Sequence, residues 1–437
     1  MTGEALETFS VYVTMVNGNK VSPVDEEIPR ESSDDKDQED AAAQVEPKPW
    51  KKKALLELRS KLEDAILGNT LLNDHPSTEC EVSPETENLE DISLWGIPLL
   101  PSKGHEGTDV ILLKFLKAQD YKVSETFEML RKTLIWRKEF KTEGILEENF
   151  DFEFDHVLYT NSTDKEGHPL CYNICGAFDN ELYEKTFGTE KNCEEFLRLS
   201  VQFMEKGIQK LDFKDGGVDS MVQITDMRIS QGLAMKELHG NYKKVVSLFQ
   251  ENYPDIIFKS IFINVPFWCY AYHKMFSRFI TKRAKAKFIF VRRSRVSKTL
   301  LKFIAPENIP IQYGGLKREN DDEFAPEDGA SELVVKSGAI ESIEIPVEEP
   351  GVTVIWDLMF VGRDMSYREE FIPDDECSYT VLIKKEKKVG GSVRNSFYIN
   401  EPGRVLLTVD NGSYKKKKVY YRFKAKPTVP IYLLTNS

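Results

Sequence analysis

The sequence predicts a multidomain chain: an α/β domain with a helical segment in front of it and an all-β sandwich behind it. Three observations carry this. Short apolar runs alternate with helical periodicities between about Phe152 and Leu316, two matching apolar stripes of period 3.6 precede them, and the last hundred or so residues switch to strict alternation. At 437 residues the chain exceeds one hydrophobic core, and 41% hydrophobic residues can fill two or three.

Residues 1–87 read as an acidic, largely disordered N-terminal region. Its stretch "PRESSDDKDQEDAAAQVEPKP" cannot bury enough apolar surface to offset the entropy of ordering. Inside this region "WKKKALLELRSKLEDAILGN" sets Leu55, Leu58, Leu62 and Ile66 at helical spacing, an amphipathic helix near residues 50–68. Such a helix suits packing against protein or lying on a membrane surface.

Residues 88–150 form the helical segment. Thr108 is placed to cap "DVILLKFLKAQ" and Ser124 to cap "ETFEMLRKTLIWRKEF". Leu112, Phe115 and Leu116 oppose Phe127, Leu130 and Leu134 as two stripes of an antiparallel pair. Residues 151–318 form the α/β domain. Two extended runs flank a turn at Asp164–Gly167, and "MVQITDM", "SIFINVP" and "KFIFV" have the continuous apolar character of buried parallel strands. Between them, "NCEEFLRLSVQFMEKGIQKL" and "KELHGNYKKVVSLFQENY" have crossover-helix periodicity.

Residues 330–435 read as a sandwich of short strands. Val352, Val354, Trp356, Leu358 and Phe360 alternate as in a half-buried strand, as do Ile343, Ile345 and Val347, Tyr379, Val381 and Ile383, and Val405, Leu407 and Val409. In "YKKKKVYYRFK" the same alternation sends Val419, Tyr421 and Phe423 inward and Lys418, Tyr420 and Arg422 outward.

Composition excludes several function classes. A net charge of −13 opposes general nucleic-acid binding, and no aromatic-basic RNA signature accompanies the lysine clusters. The six cysteines include no C-x-x-C and no zinc-like grouping, so neither a metal nor another cofactor is expected. G-x-S-x-G, H-E-x-x-H and P-loop motifs are missing, and "CEEFLR" spaces Cys193 and Arg198 one residue too closely for a phosphatase loop. The opening "MTGEALETFSVYVTMVNG" lacks the basic start of a secretory signal, and the longest apolar stretch falls short of the roughly 20 residues of a membrane span. A cytoplasmic chain with peripheral membrane contact is the expectation.

"SIFINVPFWCYAYHKMF" is the unusual stretch. After Pro266, the residues Trp268, Tyr272, Met275, Phe276 and Phe279 share one helical face, while Phe267, Tyr270 and Ala271 make the other side apolar as well. A helix apolar all round belongs either to a deep core or against something greasy that is not protein. It is followed by Arg278, Lys282, Arg283, Lys285 and Lys287, either a solvated face or the cationic rim of a pocket for an amphiphile with a phosphate head. The lysines Lys415, Lys416, Lys417 and Lys418, and a second group including Lys384 and Lys385, suit either docking on an anionic leaflet or solubilising a strand edge.

"LLKFLKAQDYKVSETFEMLRKTLIWRKEF", "DKEGHPL", "QENYPDIIFKSIFINVPFW" and "IAPENIPIQYGG" resemble the CRAL-TRIO lipid-binding family with its N-terminal helices. "VIWDLMFVGRDMSYREEFIPDDECSYTVLIKKEKK" and "NSFYINEPGRVLLTVDNGSYKKKKVYYR" resemble a GOLD β-sandwich, and the two behind an acidic tail resemble the plant patellins. The resemblance implies phospholipid and phosphoinositide binding, a bound phospholipid as ligand, peripheral membrane association, a role in traffic at the cell plate, and no enzyme activity. It makes the helix after Pro266 the gate of a lipid pocket whose wall includes Tyr253. It also places Asp255 and Lys287 at the head-group site, with Lys117 nearby, while Ile256, Gln119 and Asp120 stand where the yeast phosphatidylinositol transfer relatives carry basic residues. Met221 and Gln223 replace the hydroxyl residues that meet a choline phosphate in those relatives. Two alternatives stay open: a trafficking adaptor that binds proteins through the GOLD-like domain, and a carrier of a neutral hydrophobic molecule.

Overall fold

A computed structural model describes residues 48–72, 91–150, 156–174, 180–228, 235–267, 270, 286–325 and 327–428. They fall into two compact units, within Met1–Thr160 plus His168–Phe290 and within Asn161–Gly167 plus Val291–Ser437.

The first unit opens with α1 (Pro49–Leu67), which starts on a proline whose missing N–H has no intrahelical partner to lose. A short antiparallel turn of β1 (Ser93–Leu94) and β2 (Ile97–Pro98) follows, then α2 (Glu106–Ala118) and α3 (Val123–Phe140). Leu58, Leu62 and Ile66 of α1 are buried, and α1 packs on α2 and α3, so its apolar face meets protein. The stripes of α2 and α3 enter the same core.

Both helix starts differ from the sequence expectation. α2 is capped by His105, whose Nδ1 accepts from the Gly107 N–H at 3.0 Å, and Thr108 lies inside the first turn, donating to the Pro98 carbonyl at 2.8 Å. α3 begins at Val123, one residue before Ser124, and no side chain caps it. At α2 the Thr108 hydroxyl is engaged by a tertiary acceptor, the Pro98 carbonyl, instead of the helix start.

The unit continues as a five-stranded sheet in the order β3 (Leu158–Thr163), β4 (Pro169–Ile174), β5 (Met221–Asp226), β6 (Ile257–Ile263), β7 (Phe288–Phe290). β4 through β7 run parallel, which requires crossover connections. α4 (Asn180–Phe187) and α5 (Glu190–Ile208) connect β4 to β5, and α6 (Met235–Asn252) connects β5 to β6. Gly207 fixes how closely α5 approaches the sheet: a Cβ there would stand 2.8 Å from the Met221 methyl group.

The second unit contains α7 (Val296–Phe303) and six antiparallel strands: β8 (Ser331–Val335), β9 (Ile340–Val347), β10 (Val352–Pro373), β11 (Val381–Ile399), β12 (Gly403–Asp410) and β13 (Lys417–Pro427). The strands are not all short. β10, of 22 residues, and β11, of 19, form one long hairpin, and β10 is the central strand of one sheet in the order β8-β13-β10-β12-β9. Val352–Phe360 of β10 pairs with β13 and the end of β11, while Ser366–Pro373 pairs with β12 and the start of β11. β10 changes partner from β13 to β12 across a bulge, where four of its residues oppose the single Gly390, and Gly362 and Gly391 take φ of +111° and +82°. The inward residues Trp356, Leu358, Phe371, Ile345, Val405 and Leu407 meet in one core.

Two expectations for these strands are corrected. Val354–Phe360 is buried on both faces, not one, because α7 packs on β10 and the segment from Arg318 to Phe324 covers its outer side. On β13 the outward Arg422 is buried at 6% exposure and Phe423 is exposed at 43%. Tyr379 and Val381 are likewise exposed, at the tip of the long hairpin.

Candidate functional site

The first unit contains a pocket of about 400 Å³ between its sheet, α5 and α6, open on one side among the described residues. Its floor follows from strand register: Cys171, Gln223, Ser260 and Phe288 stand opposite one another across β4, β5, β6 and β7, and all four line the space. Phe196, Ser200 and Phe203 of α5 and Val245 and Phe249 of α6 supply walls. Burial pushes the Cys171 thiol up to about 12, so it stays a neutral part of the floor.

Four sequence-selected residues come together in this lining: Tyr253, Asp255, Lys287 and Lys117. Asp255 takes a left-handed φ of +55° just after Pro254. Its carboxylate lies 3.6 Å from the Lys117 ammonium and 3.9 Å from that of Lys287. Asp120 also lines the cavity, so its described charged residues balance, with both cations gathered on Asp255. The Tyr253 hydroxyl donates to Glu205 at 2.6 Å, and Glu205 in turn pairs with Arg137 of α3 at 2.5 Å. Burial, reinforced by the Glu205 charge, raises the phenol well above its ordinary range. Trp268, Tyr272, Met275, Phe276 and Phe279 lie outside the described residues.

Lys114 escaped the sequence reading. Within "LLKFLK" it reads as a solvent-facing position, yet it is buried, pairs with Asp219 at 3.1 Å and donates to the Asp255 carbonyl at 3.1 Å. Burial lowers its pKa while Asp219 and Asp255 oppose the shift. Lys114 therefore holds the backbone of Asp255, while Lys117 and Lys287 meet its side chain. Ser260, on the cavity floor, was missed as well, because nothing in "FKSIFIN" separates it from an ordinary strand position.

The lysine-rich part of the second unit divides in two. The buried Asn411 donates to the carbonyls of Val335, Lys336 and Lys415 and accepts from the Ser413 N–H, which ties the β8–β9 turn to the β12–β13 turn. The Lys417 ammonium donates to the Arg363 carbonyl, and the Arg363 side chain lies beside Gly390 of β11. Two turns and the bulge of the long hairpin thus converge, carrying the exposed Lys336, Arg363, Lys388, Lys415 and Lys416 and the half-buried Lys417. Lys418 points elsewhere and pairs with Glu332 at 2.9 Å, holding that carboxyl below its usual range with help from Tyr420. Lys384 pairs with Glu386 at 2.7 Å, and Lys384 and Lys385 stand on β11 about 10 Å or more along the strand from Lys388.

Among the described residues no group of His, Cys, Asp and Glu is placed to hold a metal ion, and no helix is long and apolar enough to cross a membrane. Family models match in order along the chain: "CRAL/TRIO, N-terminal domain" over residues 54–132, "CRAL/TRIO domain" over 153–315, and "Patellin-1-like, C-terminal GOLD domain" over 336–417. Patellin-4 of Arabidopsis thaliana is 50% identical over 350 residues, covering 79% of this chain and 64% of its own length. Patellin-3 of Arabidopsis thaliana is 45% identical over 350 residues, covering 78% of this chain and 71% of its own. The phosphatidylinositol transfer protein SFH5 of Kluyveromyces lactis is 27% identical over 254 residues, covering 55% of this chain and 80% of its own. An α/β unit with helices before it and an antiparallel β unit after it, matched by these domains in this order, place the chain in the patellin family.

Proposed function

We propose that this chain binds a phospholipid in the cavity of its α/β unit and transfers it, docking on anionic membranes through the cationic end of its β unit. The cavity carries the reading: about 400 Å³, apolar over most of its lining, with two lysines gathered at one carboxylate. That volume lies within the roughly 300–1,000 Å³ of ligand sites. The name of the yeast relative, a phosphatidylinositol transfer protein, supports the same ligand class. Tyr253 is a wall residue and the segment carrying Trp268, Tyr272, Met275, Phe276 and Phe279 is the gate, while Lys117, Asp255 and Lys287 meet the head group. The domains run over 88–150, 151–318 and 330–435, behind the 1–87 acidic region. The resemblance to patellins extends the proposal to a cytoplasmic, peripheral membrane protein without enzyme activity, serving membrane traffic at the cell plate during cytokinesis and meeting trafficking proteins through its GOLD domain.

Native mass spectrometry of gently purified full-length chain should show a mass excess matching one lipid, with extraction identifying it as a phospholipid. A chain free of lipid would turn the reading towards an adaptor; a neutral hydrophobic molecule would make it another kind of carrier. Lys287→Ala should weaken binding to phosphoinositide-containing vesicles several-fold and leave thermal unfolding unchanged, because Lys287 is half-exposed and its contact with Asp255 is long. Equal binding by the two proteins would remove Lys287 from the head-group site.

A further inference from the structure

Tyr414 stands on the β12–β13 turn with 99% of its surface exposed, the most exposed large hydrophobic side chain described. The turn beneath it is well anchored. Asn411 is wholly buried and bonded to three carbonyls, the Gly338 N–H donates to the Asn411 carbonyl at 2.9 Å, and the Ser337 hydroxyl donates to the Ser413 carbonyl at 2.9 Å. A fixed scaffold therefore holds an aromatic ring out in water. Lys415 and Lys416 follow it directly, Lys336 lies on the β8–β9 turn, Arg363 and Lys388 lie at the bulge of the long hairpin, and no acid occurs between Asn411 and Lys418.

We propose that Tyr414 is a membrane wedge whose ring enters the interfacial zone of an anionic bilayer while the surrounding cations contact lipid phosphates. Tyrosine suits that zone because its ring is apolar and its hydroxyl can stay with the head groups. The charge around it selects an anionic lipid surface, since the exposed lysines that follow the ring carry no acid among them and a projecting ring beside them suits a leaflet. The wedge rests on the proposed docking of this end of the β unit and specifies how that docking is made. Cations alone give binding that salt screens away, whereas an inserted ring adds a part that salt leaves in place.

The full-length chain and its Tyr414→Trp variant are titrated with vesicles of phosphatidylcholine and phosphatidylserine, with and without brominated acyl chains. The emission added by the substitution should move to shorter wavelength on binding and be quenched by the brominated chains. Tyr414→Ala should partition about fivefold less well, a change of about 1 kcal/mol, and the deficit should persist at high salt. Added emission that stays unshifted and unquenched on vesicles that do bind the protein overturns the wedge and leaves docking by the cations standing, as does a Tyr414→Ala variant that binds like the parent. If the parent chain binds no such vesicles, the docking reading and the wedge fall together, and this end of the β unit is a surface for protein.

Discussion

Asp357→Asn should destabilise the pairing of β10 with β13 by roughly 3–5 kcal/mol, the loss expected when one partner leaves a buried ionic cluster. Asp357 sits at the centre of β10 with no exposed surface. Arg318 reaches it at 2.9 Å, Arg394 at 2.8 and 2.7 Å, and Arg422 at 3.1 and 3.0 Å. Asp321 is the second carboxylate, taking Arg394 at 2.6 and 2.7 Å. The Phe324 ring lies under the guanidinium groups, 4.3 Å from Arg422 and 5.0 Å from Arg394. Asparagine keeps the volume and removes the charge, so three cations would be left to Asp321 alone. Hydrogen exchange on the full chain should show faster opening in peptides covering 352–360 and 419–424, and exchange unchanged from the parent would refute the assignment.

The same cluster has a defined pH dependence. The Arg394 hydrogen bonds hold the Asp321 carboxyl well below its usual value of 3.8, with the backbone N–H groups of Glu323 and Phe324 assisting. A carboxyl whose folded pKa is depressed contributes stability that is complete above its unfolded pKa and is lost as pH falls through the folded one. The Asp321 contribution is therefore intact at neutral pH and declines only in acid, below the ordinary carboxylate range.

This cluster also marks where sequence alone stops being informative. The alternation of Val354, Trp356, Leu358 and Phe360 shows which face of β10 looks into the core, and all four are buried there. Nothing local shows that the opposite face is covered by residues some forty positions earlier, so Asp357, Arg394 and Arg422 read as solvent groups when they are the buried or half-buried partners of Arg318 and Asp321. Covering that face reverses the expected environments of Arg422 and Phe423. The parallel strands and the stripes of α2 and α3 were legible because one periodicity decided each. At the cavity, Asp255, Lys287, Lys117 and Tyr253 were reached through the family resemblance, whereas Lys114 differs from a surface lysine only in what folds over it.

Charge reversal of Lys415, Lys416 and Lys417 to glutamate should weaken binding to vesicles rich in phosphatidylserine about a hundredfold or more. Each lysine close to an anionic surface is worth about 1 kcal/mol, so loss of three corresponds to about two decades before repulsion is added. The fold should tolerate the change, because Lys415 and Lys416 are exposed and Asn411 holds the turn, while Lys417 gives up one bond to the Arg363 carbonyl. The position of the charges gives the control. Lys418 and Lys384 are already matched by Glu332 and Glu386, so Lys418→Glu or Lys384→Glu should cost far less than the triple variant. All these differences should shrink as salt rises from about 0.1 M to 1 M and the screening length contracts from about 10 Å to 3 Å. A triple variant that binds like the parent, beside a Lys384 and Lys385 double variant that does not, would move the docking surface from the converging turns to the middle of β11. A loss confined to the triple variant would place it where the bulge of β10 and the Asn411 turn bring six cations to one end of the sandwich.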